Sequence, residues 1–532
     1  MKKTQVLVVG GGPVGSTLAL DLASRGIDVL VAERNPPGQT PGVKCNHVAA
    51  RTMEIFRRLG IVQKIRDTGL PADHPNDVAF RTSAIGTEFA RIKIPGRRDR
   101  YTDTDGPDGW WPTPEPPHRI NQIYLDPLLA GFARSHPRIR YLNNCDIAGF
   151  TQSEDGIVAE IAGTNETIHA AYLVGCDGPS SRTRSLIGAR LTGDAVIGRT
   201  QSTYIRAPGL MALMTAAPAW STQVMNPRRS ANMFAVDGRE TWLIHNYLRA
   251  EETDFSNIDS DACIRAILGT DLPYRIVTRE NWIGRRMLAD RFRDRRAFIC
   301  GDAAHLWVPY AGYGMNAGIA DAMNLSWMLA GVLNGWADRN ILGAHEAERW
   351  PITEQVSKFA MSTALSLARA RAEVPADIED NAATRAAVGE QMLKLHTPQF
   401  CCAGLNFGSF YDRSPIVAYD GEEAPAYTMD RFTPSIVPGC RTPHVWLENG
   451  ASLYDAMGPD FCLLRFDRAM DVRGLTEAAS LRGVPMRVVD VAPDAVYRRK
   501  LVLSRPDQHV AWRGDAEPDN PLALIDRVRG AA

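Results

Sequence analysis

The chain opens on an apolar run, Gln5 to Val9, which breaks into Gly10-Gly11-Gly12-Pro13-Val14-Gly15 and resumes with apolar residues at helical spacing, Val14, Leu18, Ala19 and Leu22. This pattern predicts a strand, a tight bend and an amphipathic helix. A second strand is predicted over Asp28 to Ala32, ending at Glu33-Arg34, and the first seventy residues alternate strand and helix. Between Pro71 and Pro117 the periodicity dissolves into proline, glycine and charge, with short strand-like pieces such as Asp77 to Thr82. Leu125 to Ser135 has helical spacing, whereas Ile157 to Ile161 and Thr167 to Val174 alternate like paired strands and end in Gly175-Cys176-Asp177-Gly178. From Ser202 to Leu248 several runs have period two, among them Thr241 to Tyr247, which predicts an antiparallel sheet distinct from the parallel one. Arg296 to Cys300 reads as one more strand, leading into Gly301-Asp302-Ala303-Ala304-His305. Helices are expected from about Gly343 to about Leu395, then a loop from Thr397 to Pro443. The tail, Trp446 to Arg513, reads as strand, helix, strand, helix and hairpin.

A chain of 532 residues exceeds one ordinary core, so two or three domains are expected. Its 60 basic and 61 acidic residues leave a net charge of −1, which gives no nucleic-acid or anionic-membrane footprint. The longest apolar stretch, Gly312 to Leu333, carries Asn316, Asp321 and Asn324 and reads as a helix of a soluble protein. Met1-Lys2-Lys3 ahead of an apolar run imitates a signal peptide, but the glycine turn, Asp21 and Arg25 interrupt it. Nine scattered cysteines without a C-x-x-C spacing argue against a disulfide framework and against zinc, and they fit reduced thiols in a cytoplasmic protein.

Gly10, Gly12 and Gly15 match a dinucleotide fingerprint in its proper strand-turn-helix context. The first glycine allows the turn, the second lets backbone approach a pyrophosphate, and the third lets helix and strand pack closely. Glu33 stands about 20 positions beyond, where an acidic side chain holds ribose hydroxyls, which suits FAD or NAD better than NADP. Gly301-Asp302 is a second glycine turn nearly three hundred residues away, and a single Rossmann half leaves it unexplained.

With Gly10-x-Gly12-x-x-Gly15, Asp177-Gly178 and Gly301-Asp302 in that order, the chain resembles the class A flavoprotein monooxygenases of the p-hydroxybenzoate hydroxylase fold. More narrowly it is similar to the phenol hydroxylase-like aromatic ring hydroxylases. The tail, from Pro438-Gly439-x-Arg441 to Arg505-Pro506-Asp507-x-His509-Val510-Ala511-Trp512-Arg513, looks like the thioredoxin-like domain of that branch without its redox cysteines. That domain is therefore expected to be structural or oligomeric. The fold class implied is α/β: a Rossmann-like FAD-binding domain interleaved with an antiparallel-sheet substrate domain, plus the thioredoxin-like domain. The implied division gives 1–75, 105–190 and 280–395 to FAD, 76–104 and 191–279 to the substrate sheet, and 400–532 to the C-terminal domain.

The resemblance implies that Gly10, Gly12, Gly15 and Glu33, with Arg34 beside it, hold the ADP half of FAD. Arg119 and Gln122 would reach the pyrophosphate and ribityl region, and Asp302 a ribityl hydroxyl. The helix starting near Gly314 would aim the N–H groups of Met315 and Asn316 at the flavin, where a helix N-terminus favours negative charge. Asp177 is associated in the family with FAD and NAD(P)H; the competing reading is a helix cap, and Ser181 and Arg184 complete its pattern. Val308-Pro309 and Tyr310 depart from the family's usual residues beside the substrate.

The implied activity is NAD(P)H-consuming hydroxylation of a phenolic or polycyclic arene by dioxygen, through a flavin C4a-hydroperoxide. NADH or NADPH is left open, and a homodimer is compatible. Such chemistry calls for a base near neutral pH, for which His47 has the right intrinsic pKa; packing beside the following helix is the competing reading. The Pro309 carbonyl is a second candidate acceptor by resemblance. His305 near Asp302 lacks a third ligand and does not make a metal site, and Trp110-Trp111 either line the pocket or pin a loop. On the predicted sheet, Leu243, His245 and Tyr247 are candidate substrate contacts, with Trp242, Ile244 and Asn246 on the opposite face; the pattern does not choose between the faces. The apolar and aromatic positions suggest a neutral aromatic substrate, and Arg228-Arg229 beside Pro227 read as a solvated turn. A Baeyer–Villiger or epoxidising oxygenase on a polyketide-like substrate and a non-oxygenating flavin-binding protein remain as alternatives.

Overall fold

The structure, a computed structural model, describes residues 2–39, 42, 46–308 and 312–532. Three sheets organise the chain. In the first, the strand Lys2–Val9 lies parallel between Val29–Ala32 and Thr167–Gly175, with Ile139–Leu142 and Ala297–Ile299 added in parallel outside them. Val6, Leu7 and Val8 are fully buried because both faces of this sheet are covered, which is why the run is continuously apolar instead of alternating. The helix Pro13–Ser24 leaves the first strand directly, with proline in its first turn, where a missing N–H costs no helical bond.

The second sheet has eight strands. In sheet order they are His305–Leu306, Arg275–Ala289, Leu191–Arg206, Thr241–Tyr247, Ala231–Ala235, Ser221–Val224, Val78–Arg81 and Glu88–Ile92. Leu191–Arg206 starts well before Ser202, and its partner Arg275–Ala289 runs without a break through the 279/280 division expected from the sequence. Period-two burial is weak there because both strands bend at register shifts near Thr278 and Arg286. Helices Gly343–Ala372 and Ala382–Phe400 follow, the second continuing through Pro398 instead of ending near Leu395.

The third sheet is built from Met486–Asp490, Phe461–Arg465, Leu501–Ser504 and Val510–Gly514; its first pair is parallel and the others are antiparallel. The tail begins with a helix, Leu453–Met457, not a strand: Trp446 makes an isolated bridge to Ser452, which then caps that helix. A final helix, Pro521–Val528, follows the hairpin, with the Asn520 side chain accepting from the Ala523 N–H. Phe461 meets the edge of Trp327 on the helix Gly314–Leu333, so the tail shares a core with the first sheet. No helix of the described residues is long and apolar enough to cross a membrane.

Four buried histidines are held neutral. Burial lowers His118 and His396 to about 3 and His245 and His345 to about 4, from an ordinary 6.5. Below 6.5 the unfolded chain therefore takes up protons that the folded chain does not, and stability present above 6.5 is lost as the pH falls toward 4. The urea unfolding midpoint is expected to drop between about pH 7.5 and about pH 5; an unchanged midpoint would contradict this.

Candidate functional site

The two glycine turns meet. Gly10 has a left-handed backbone (φ 101°), and a side chain there would strike the Cys176 carbonyl at 2.3 Å. At Gly15 a Cβ would lie 2.0 Å from the Gly10 carbonyl oxygen. Gly12 differs: a Cβ there would meet nothing within 4 Å, so the space in front of the helix start is open. The helix Pro13–Ser24 has no side-chain cap at Gly12, leaving its first N–H groups for a ligand. Glu33 accepts from the Gly11 N–H (2.7 Å) and the Asn35 N–H (2.8 Å), which fixes it at this turn, and Arg34 beside it is exposed.

Across from this turn, Gly301 (φ 62°) bends the strand end Ala297–Ile299 back on itself. A Cβ on Gly318 would fall 2.8 Å from both Gly301 Cα and Val14 Cγ2, so the helix Gly314–Leu333 packs against both turns at once. That helix also starts without a side-chain cap. The Gly301 N–H, His305 Nε2 and Arg349 Nε converge on the buried Asp321 carboxylate at 3.2, 2.6 and 2.8 Å. Burial would raise the Asp321 pKa, but His305 and Arg349 outweigh it and hold the group below the usual carboxylate range. His305 is thus a partner of Asp321, and the described residues contain no cluster able to ligate a metal. Asp302 sits half-buried on the same turn. Met315 is half-buried at the helix start, while the Asn316 side chain accepts from the Ala49 N–H and donates to the carbonyls of His47 and Gly312.

Asp177 accepts from Ser181 Oγ (2.5 Å) and from the N–H and hydroxyl of Thr183 (both 2.9 Å), and so supports the start of the helix Arg182–Leu186. Arg184 donates to the Ala303 carbonyl, tying this loop to the Gly301 turn. Gln122, the first residue of the helix Gln122–Ser135, is buried and donates to Asp126 (3.3 Å). Arg119 is placed between two groups: its Nη1 donates to His47 Nδ1, and its guanidinium lies 4.0 Å over the Trp220 ring.

An arginine only donates, so His47 Nδ1 is an acceptor and the ring proton sits on Nε2. Burial, with Arg119 and Arg100 nearby, pushes the His47 pKa well below 6.5. This arrangement departs from the expected base, because a neutral imidazole with its proton on Nε2 is a donor. Pro309 lies outside the described residues, as does Tyr310.

Leu243, His245 and Tyr247 share the face of the second sheet that carries Tyr204, whose hydroxyl donates to Asn121 at the start of the helix Gln122–Ser135. Trp242, Ile244 and Asn246 are buried on the other face. A cavity of about 660 Å³ lies at the strand ends, lined by Thr200, Tyr247, Trp282, Gly284 and Val308. Leu243 is fully buried beside it in the core. Trp282 Nε1 donates to Ser202 Oγ (2.7 Å), which lies 2.6 Å from His245 Nδ1. Trp111 pins its own loop through the Asp108 carbonyl and Phe407, and Trp110 is exposed. Ser202 and Tyr204 escape a reading of the sequence because only strand register brings them opposite His245 and Leu243.

Residues 3–360 match the family described as FAD binding domain, and residues 435–532 match aromatic-ring hydroxylase, C-terminal. The chain belongs to the class A FAD-dependent aromatic hydroxylases. The hydroxylase is 29% identical to the FAD-dependent monooxygenase apdD of Emericella nidulans, over 96% of this chain and 87% of that one. It is 26% identical to a phenol 2-monooxygenase of Pseudomonas sp., over 99% and 93%. Among solved structures it resembles the rebeccamycin biosynthetic enzyme RebC with reduced flavin (TM-score 0.90, 34% identity, covering 100% of this chain and 99% of that one). It also resembles aklavinone-11 hydroxylase in its ternary complex with FAD and aklavinone (TM-score 0.81, 26% identity, 99% of each chain). The hydroxylase is an FAD-dependent monooxygenase that uses NAD(P)H as co-substrate.

Because the space in front of Gly12 is open, Gly12→Val should fold normally yet purify with little FAD, since the added methyls occupy the phosphate position. Circular dichroism and flavin absorbance check this; a variant with full flavin content would contradict it.

Proposed function

We propose that this hydroxylase adds one oxygen atom of dioxygen to a phenolic or polycyclic aromatic ring held between the second sheet and the helix Gly343–Ala372. The observation that carries this reading is the cavity lined by Tyr247, Trp282 and Val308, with Tyr247 on the sheet face it shares with His245. Relatives named for phenol, tetracenomycin and aklavinone support a phenolic arene of polyketide type. Bound FAD, reduced by NAD(P)H, would supply the activated oxygen.

The residues fit that cofactor. Gly10, Gly12 and Gly15 with the first N–H groups of the helix Pro13–Ser24 would hold its pyrophosphate, and Glu33 its adenosine ribose. Asp302 would accept from a ribityl hydroxyl, and the N–H groups of Met315 and Asn316 would stabilise negative charge at the ring system. We read Gln122 as a further cofactor contact, and Asp177 as the brace that holds Arg184 against the second turn. The C-terminal sheet, parallel at one pair and antiparallel at the others, is read as thioredoxin-like with a structural role.

A tryptophan N–H has no choice but to donate. Trp282 therefore gives its hydrogen to Ser202 Oγ, Ser202 gives its own to His245 Nδ1, and the imidazole proton is left on Nε2. With its pKa lowered to about 4 by burial, His245 stays neutral and offers Nε2–H to the phenol oxygen, which favours the more nucleophilic phenolate.

Substrate-stimulated NAD(P)H consumption across a panel of phenols and polycyclic arenes, under isotopically labelled dioxygen, tests the reading. One labelled atom on a ring carbon is expected; label inserted beside a carbonyl would mean a Baeyer–Villiger reaction, and no stimulation by any arene would mean a protein that is not an oxygenase. His245→Leu should lower kcat/KM for the stimulating phenol about tenfold or more, the scale of a lost hydrogen bond to a charged oxygen, and should shift the pH profile upward. An unchanged profile would remove His245 from this role.

A further inference from the structure

We propose that Cys176 and Cys300 are a site of oxidative modification, at which hydrogen peroxide joins them as a disulfide that fastens together the strand ends carrying the two glycine turns. The inference goes beyond the monooxygenase reading. The strands Thr167–Gly175 and Ala297–Ile299 are parallel neighbours, with Ile299 beside Gly175. Cys300 and Cys176 are the next residues in that register, and the Cys300 N–H continues the ladder to the Gly175 carbonyl at 3.0 Å. Residues in register project from the same face of a sheet, and both cysteines pack with Val174 and Phe298, two positions before them, in one core. Adjacent strands lie about 4.8 Å apart, inside the roughly 4.4–6.8 Å that a disulfide needs between its Cα atoms. The thiols are already in contact: hydrogen bonding to Cys176, with burial, raises the Cys300 pKa well above its ordinary 9.

Access separates this pair from the other thiols. Among the described cysteines Cys176 alone is not buried. Cys401 and Cys402 are consecutive and both buried, and burial pushes the Cys402 thiol up to about 12, which keeps it protonated and inert. Cys176 is therefore the sulfur that peroxide reaches, and Cys300 the one that closes the bridge. In the first step the Cys176 sulfur attacks one peroxide oxygen, the O–O bond breaks, water leaves and a sulfenic acid forms. In the second, the Cys300 sulfur attacks the Cys176 sulfur and displaces hydroxide, which takes the Cys300 proton and departs as a second water. Two thiols are oxidised to one disulfide and one peroxide is reduced to two waters. NAD(P)H and dioxygen form this peroxide whenever two electrons pass to oxygen and no arene receives an oxygen atom.

The bridge would act on the cofactor region through backbone. A Cβ on Gly10 would fall 2.3 Å from the Cys176 carbonyl oxygen, and one on Gly15 would fall 3.2 Å from Cys176 Cβ, so Cys176 is packed into the first turn. Cys300 leads directly into Gly301. The loops beyond the two cysteines are tied without covalent bonds, by Arg184 donating to the Ala303 carbonyl. A disulfide would keep the turns together after such hydrogen bonds open, because it links residues far apart in the chain.

The test treats the FAD-loaded enzyme with hydrogen peroxide, blocks remaining thiols, digests it without reductant and maps the peptides by mass spectrometry. A peptide pair joined through Cys176 and Cys300 is expected, and dithiothreitol should abolish it. Cys300→Ala should leave Cys176 as a sulfenic acid that dimedone traps, and Cys176→Ala should leave Cys300 reduced. Flavin release should shift to higher urea in the oxidised enzyme than in the reduced one, with no such shift in either variant. Cys176 still reduced after treatment would overturn the proposal. So would Cys176 oxidised alone beside a reduced Cys300, a Cys401–Cys402 bridge in its place, or identical urea release in the two states. Because peroxide is added and no turnover is measured, any of these failures leaves the monooxygenase reading standing.

Discussion

The structure depends on one close approach: the backbone of Gly301, the backbone of Gly318 and the side chain of Val14 occupy a space in which no additional methyl fits. Through that contact the helix Gly314–Leu333 rests on the bend at Gly301 and on the start of the helix Pro13–Ser24. Two helix N-termini, both without side-chain caps, are thereby held near each other. Uncapped N-terminal amides are a cost to a bare protein and an asset when an anion occupies them. FAD offers two such anionic regions, the pyrophosphate and the reduced ring system, and the separation of the turns in sequence disappears in the fold.

Around this contact lies a chain of buried charges. Asp321 holds the Gly301 turn and is itself held by His305 and Arg349. One helical turn from Asp321, Asn324 donates to Glu348, which also pairs with Arg505 at 2.5 and 2.8 Å, and Arg505 pairs with Asp507 at 2.7 Å. Arg441 reaches Glu54 in the same way from the C-terminal unit. Burying such groups is expensive, and breaking one pair while leaving its partner behind costs about 3–5 kcal/mol. The tail therefore does more than cover a core: its arginines neutralise carboxylates on two helices, Ala50–Arg58 and Gly343–Ala372, that pack against the helix Gly314–Leu333. That is a structural reason for the C-terminal unit to be retained.

Much of the cofactor region was legible because its chemistry is local. Gly10, Gly12 and Gly15 have their strand before them and their helix behind, and Gly301-Asp302 likewise follows a strand, Ala297–Ile299. Asp177 illustrates the limit: a cap and a cofactor contact call for the same residue, and the hydrogen bonds to Thr183 became visible only in the fold. The substrate region was less readable for a different reason. Thr241 to Tyr247 showed its period but not which face turned inward, since that depends on pairing with Leu191–Arg206 and on the helices beyond. His47 has an ordinary sequence context, and the Arg119 contact that makes it a donor spans seventy-two residues. In the tail, Trp446 looks like part of a strand, but the nearby Ser452 caps a helix instead.

The most direct test of the central claim is titration of the deflavinated protein with FAD and, separately, with FMN, followed by calorimetry or fluorescence. If both glycine turns clasp a single cofactor, one FAD binds per chain and FMN, lacking the ADP half, binds far more weakly. Failure to bind FAD, or FMN binding as tightly as FAD, would contradict the account.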